Sequence, residues 1–214
     1  MIVIGVDLSG PSNTADTAIV RFEGRGGKLV HRSHQVGAGD AAIHALASAT
    51  CARGGTVVGL DAPLSYNPGG GDRPGDRSLR AGITRAGMRS GSVMTPTMMR
   101  MVYLTLRGVS VARLLSGIGP RAPRIVEVHP GASLVLRGAP AADVRAFKQD
   151  VSARRRLLRW MERQGLGGAA GLDPSTDHLV AACGCALAAW KWTTGEPVWV
   201  HPAEPPLHPF DFAC

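Results

Sequence analysis

Four carboxylates stand where chemistry could be done. The run IVIGVD ends on Asp7, the run VVGLD ends on Asp61, and Glu127 lies inside the apolar run RIVEV. Asp177 follows Asp173-Pro174, an N-cap and first-position pair that would start a helix and put Asp177 in its first turn. If these four side chains converge, they cannot all stay ionised without a compensating charge, and a divalent cation supplies one. Oxygen-only ligation with room for water suits Mg²⁺ or Mn²⁺. Two such ions roughly 3.5–4 Å apart can activate water and stabilise the leaving oxygen of a phosphodiester. Taken singly, Asp7 and Asp61 could cap turns, and Asp177 could complement a helix dipole. Glu127 resists that reading, because an acid within an apolar β-run is costly unless paired or bound to a cation.

Five strands have to deliver these acids. Strand patterns at 2–7, 18–23 and 28–36 read as an antiparallel meander, and further strands are expected at 57–61 and 124–129. Asp40 can N-cap a helix that Gly54 and Gly55 end. Thr95 and Pro96 look like the start of a long helix running to Ser116, with Gly117 as its stop. Further helices are expected at 132–136, at 151–164 and from Asp173 onward, the last closed by Gly195. Helical crossovers would make the first, fourth and fifth strands parallel, and ligands bind at the carboxyl ends of such strands. The expected fold is α/β: a ribonuclease H-like mixed sheet of three antiparallel and two parallel strands, flanked by helices, in a single domain over 1–214. The Gly- and Arg-rich segment 67–95 reads as an irregular insertion over the active face.

Lys plus Arg number 24 against 16 Asp plus Glu, a net charge of +8 that suits a polyanionic partner or simply a soluble basic surface. Residues 69–107 contain seven Arg, two Asp and neither Lys nor Glu. Arg73, Arg77, Arg80, Arg85 and Arg89 could therefore embrace a nucleic-acid backbone, or form a solvated loop. Ser9 and Asn13 could touch a phosphate, although any tight turn selects them. His129, two residues beyond Glu127 in the expected strand, would share its face and could shuttle protons or serve as a hydrogen-bonded structural residue. Arg154, Arg155, Arg156, Arg159 and Arg163 read as the solvated face of a helix. The scattered aromatics offer no stacking platform. Four cysteines without CxxC spacing, no basic leader and no apolar run of membrane-spanning length favour a reduced, cytoplasmic setting.

The stretches GVDLSGPSNTA, VVGLDAPLSY, VEVHPGASL and TDHLVAA, in this order over nearly the whole chain, resemble the family catalogued as domain of unknown function 429. The resemblance implies a ribonuclease H-like nuclease with Asp7, Asp61, Glu127 and Asp177 as metal-binding acids. One departure is that the family's last block usually reads Asp-Ala, whereas here Asp177 is followed by His178. The leading expectation is a metal-dependent nuclease acting on DNA or RNA. A phosphotransferase of the sugar-kinase and actin class shares the topology but needs a second strand-rich half. A non-catalytic nucleic-acid-binding scaffold is the third reading.

Overall fold

The computed structural model describes residues 1–214. β1 (Ile2–Asp7), β2 (Ala18–Arg25) and β3 (Lys28–Val36) form the expected antiparallel meander. α1 (Asp40–Cys51) leads to β4 (Thr56–Asp61), and α2 (Pro74–Arg85) and α3 (Met99–Ser116) lead to β5 (Arg124–Val128). Then follow α4 (Pro130–Leu136), α5 (Ala141–Ala146), α6 (Val151–Arg163), β6 (Leu166–Gly167), α7 (Asp177–Thr193), β7 (Val200–His201) and β8 (Phe212–Ala213).

The fold is α/β, with one mixed sheet flanked by helices, and it holds eight strands rather than five, in the order β6-β3-β2-β1-β4-β5-β8-β7. The three additions are two-residue strands, too short to leave any periodicity in a sequence. β1, β4 and β5 are parallel, as expected.

Segment 67–95 is not irregular, because α2 occupies its middle. Pro74 takes the first helical turn, Asp76 accepts from the Arg73 backbone N–H, and Leu79 and Ile83 are buried one turn apart. The long helix begins at Met99 rather than Pro96, because Thr95 is drawn away to hydrogen-bond Asp72 and the Pro96 carbonyl accepts from the Thr105 hydroxyl. α7 also starts later than its Asp173-Pro174 signal. Asp173 instead closes a turn onto Ser175, and Thr176 is the N-cap, with its hydroxyl accepting from the His178 N–H. Asp177 nevertheless stays in the first turn.

A larger core lies between the sheet and α4–α7, and a smaller one lies on the opposite face beneath α1 and α3. α7 is apolar all round and buried from Leu179 to Trp190, so it packs against the middle of the sheet. Glycines let it come close. A Cβ on Gly5 would stand 2.0 Å from the Ala182 carbonyl oxygen, and one on Gly59 would stand 2.6 Å from that of Cys185. Gly5→Ala should therefore lower stability by at least about 3 kcal/mol, the upper end for overpacking, read as a fall in the urea midpoint. No helix is long and apolar enough to cross a membrane. All four cysteines are buried free thiols.

Candidate active site

Period-two alternation decides which face each acid meets. Val3 and Val57 belong to the core under α7, so Asp7 and Asp61 at the ends of the same strands face α7 as well. They are direct neighbours in the parallel register, and adjacent strands lie about 4.8 Å apart. In β5 it is Val126 and Val128 that join the α7-side core. Glu127 therefore points to the other face, in register with Leu60. All four acids line one cleft of about 720 Å³ at the carboxyl ends of these strands. They do not form one ligand sphere, and no three His, Cys, Asp or Glu side chains are grouped closely enough to hold a metal ion.

Glu127 is already satisfied. Its two carboxylate oxygens accept from Arg73 Nη1 at 2.8 Å and Nη2 at 2.5 Å, and Oε2 accepts from the Leu64 backbone N–H at 2.8 Å. Arg73 also donates to Asp76 through Nη2 and Nε, and to the Ser65 hydroxyl, which pairs with His208. Arg73 is thus buried under the site instead of reaching out to a phosphate, and the acidic partners drive its guanidinium still further from deprotonation. The bidentate fork is the strongest form such a pair takes. Ser65, Asp76 and His208 carried no signal in the sequence.

Asp7 and Asp61 have no such partner. Burial pushes both carboxyls up, and the adjacent Asp7 carboxylate pushes Asp61 well above its ordinary value. His178 relieves Asp7 directly, and the Lys148 charge at the rim relieves Asp61 from farther off. Its Nδ1 lies 2.7 Å from Asp7 Oδ2, and its Nε2 lies 3.8 Å from Asp16 and 3.9 Å from Asp177. The hydrogen bond to Asp7 raises the imidazole above its ordinary value. Asp177 thus faces Asp7 across the cleft through this ring.

His129 does not share the face of Glu127 as a second strand residue. It caps α4, with Nδ1 accepting from the Ala132 N–H at 3.1 Å and Nε2 set 2.8 Å from the Ser92 carbonyl. With Nδ1 taken up as an acceptor it is a structural histidine on the cleft wall, and burial pushes its pKa down. Ser9 and Asn13 turn inward to their own loop: the Ser9 hydroxyl donates to the Asn13 carbonyl, and the Asn13 amide donates to Asp16. Neither lines the cleft.

Of the remaining arginines, Arg80 pairs with Asp72, and Arg77 donates to the Asp72 carbonyl. Arg85 and Arg89 are exposed, and Arg89 stands on the cleft rim with Arg145 and Lys148. Arg80 and Thr95 hold the Asp72 carboxyl down at about 2. A carboxyl depressed in the fold stabilises it above the unfolded value of about 3.9, and the contribution is lost as pH falls through the folded value. Asp72→Asn should lower the urea midpoint at pH 7, with the gap to the parent closing between about pH 4 and pH 2.

Two buried arginines position the site without entering it. Arg154, on the face of α6 expected to be solvated, donates to the carbonyls of Phe147, Lys148, Pro174 and Ser175, fixing the chain that enters α7. Arg107 of α3 donates to the Ser9 carbonyl, the Thr17 hydroxyl and Asp40, fixing the loop that leaves Asp7.

The family model described as "Protein of unknown function (DUF429)" matches residues 5–206. The chain belongs to the DUF429 family. The match runs from β1 through β7 and so takes in every acid of the cleft of this DUF429 protein. Neither the curated proteins nor the solved structures contain a match to it.

Proposed function

We propose that this DUF429 protein is a divalent-metal-dependent phosphodiesterase acting on nucleic acid. The observation that carries the reading is the Asp7–Asp61 pair: a buried and a half-buried carboxylate, neighbours in register, with raised proton affinity and no arginine or lysine in a salt bridge with either. Such a pair takes up a proton or a cation. Its all-oxygen chemistry fits Mg²⁺ or Mn²⁺, ions commonly held by one or two carboxylates with water and substrate phosphate completing the shell. When bound, the ion supplies charge for the developing oxyanion and lowers the pKa of water.

The protein's own residues do the rest. Asp7 and Asp61 would hold the ion, and His178 fixes Asp7 by occupying one of its oxygens. Glu127, clamped by Arg73, shapes the floor of the site. A two-ion form of the chemistry would draw its second site from Asp177, because Glu127 is taken. Arg89, Arg145 and Lys148 at the rim attract the polyanion. The order β3-β2-β1-β4-β5, with β2 antiparallel and the acid-bearing strands parallel, is the arrangement we read as ribonuclease H-like.

The test is cleavage of labelled single-stranded, duplex, hybrid and branched DNA and RNA with Mg²⁺ or Mn²⁺. Cutting that stops with EDTA is expected. An intact panel in both metals removes the reading.

A further inference from the structure

The geometry points to a single polynucleotide strand, with its bases unstacked, as the substrate that lies along the N-terminal half of α3 and enters the cleft. It rests on the reading of the cleft as a nucleic-acid site.

A surface helix normally turns polar residues to water. α3 does the reverse at its start. Met99 is 91% exposed, Tyr103 67% and Leu106 56%, with Val102 beside them at helical spacing, so one apolar stripe faces solvent. The stripe is continuous with the cleft, because Met101 and Leu104 on the adjoining face of α3 form part of the cleft wall. A shallower groove of about 320 Å³, lined by Arg80, Met94, Met98 and Arg100, opens from the same place and shares Gly91, Val93 and Met94 with the main cleft. Five of the seven methionines fall within 88–101, and Met is the side chain that adapts to varied apolar surfaces.

Charge chooses the occupant. Arg80 and Arg107 are held by Asp72 and Asp40, but Arg100 on the stripe's own helix and Arg89 on the adjoining cleft rim are exposed and unpaired, so the free charges beside the stripe are positive. Its partner must be anionic and must also present flat apolar faces. A duplex offers phosphates but hides its bases, leaving Met99, Tyr103 and Leu106 nothing to cover. A single strand offers both: one base can stack on Tyr103, the stripe's single aromatic, with Met99 and Leu106 covering its neighbours, while the backbone tracks the cations. A second copy of the chain would oppose like charges along α3, whose exposed charged residues are Arg100 and Arg113.

The experiment measures fluorescence anisotropy of labelled DNA and RNA strands of about 12 nucleotides, a length within known site sizes, free and annealed, with EDTA present so that nothing is cut. The single strands should bind at least about tenfold more tightly than the duplexes. The exposed double variant Met99→Ser/Tyr103→Ser, with unchanged circular dichroism, should lose about tenfold for single strands and little for duplexes. The DNA and RNA arms show which sugar is preferred. Equal binding of strand and duplex, or an unaffected double variant, overturns the inference. So does binding of an acidic amphipathic peptide to the stripe with no strand bound. Failure of the hydrolytic reading looks different: strands held through Tyr103 but never cut remove the phosphodiesterase and keep the stripe, while duplex cutting indifferent to Tyr103 does the opposite.

Discussion

Asp61→Asn is expected to reduce metal-dependent cleavage by about 10³-fold or more while making the metal-free protein more stable. The loss follows from removing half of the carboxylate pair proposed to hold the cation, since a bound ion contributes several kcal/mol of charge stabilisation and each 1.4 kcal/mol is tenfold in rate. The gain follows from the sign of the Asp61 shift. A carboxyl whose folded pKa is raised opposes folding once ionised, so the metal-free parent should gain stability as pH falls toward the unfolded value of about 3.9. Asparagine carries no charge to bury and should remove the Asp61 share of that slope, leaving the part due to Asp7. Calorimetric melting with EDTA at several pH values reads this, and a parallel cleavage assay reads the loss. A residue that merely capped a turn after β4 would lose stability on substitution and leave cleavage nearly intact.

Arg73→Ala should be the most destabilising single change at the site, by about 3–5 kcal/mol, because it leaves the Glu127 and Asp76 carboxylates buried with no cation between them. Arg73→Lys should recover only part of the loss, since an ammonium cannot make the two-pronged contact. Glu127→Gln separates structure from metal binding. It should cost about 1–3 kcal/mol in urea unfolding, while Mn²⁺ affinity changes by less than about threefold. Removal of a residue that orients a metal ligand typically costs 10–100-fold in affinity, so an effect of that size would return Glu127 to the metal.

The contrast between Glu127 and the aspartates shows how far the sequence reaches. The runs IVIGVD and VVGLD are continuous and apolar, and they predict two parallel strands delivering acids to one edge. The expense of burying Glu127 was also legible. Which of the two solutions applies, pairing or metal, depends on β5 register and on an arginine 54 positions away, and no local pattern encodes either. Arg73 looked like a phosphate contact because an Arg beside glycines looks the same whether it turns in or out. α2 left a faint trace, Pro74 followed by Leu79 and Ile83, submerged by glycine and arginine. Arg107 and Arg154 could not be told from surface arginines, because burial of a cation against carbonyls leaves no periodicity. His178 was visible only as a departure from Asp-Ala, and its contact with Asp7 spans 171 positions.

The most direct measurement is a crystal structure of the protein soaked in Mn²⁺, with the ion located by anomalous scattering. The expected result is an ion held by Asp7 and Asp61, with Glu127 still clamped by Arg73. An ion bound elsewhere, or an Asp7–Asp61 pair that stays empty at saturating Mn²⁺, would contradict the assignment of this pair as the metal site.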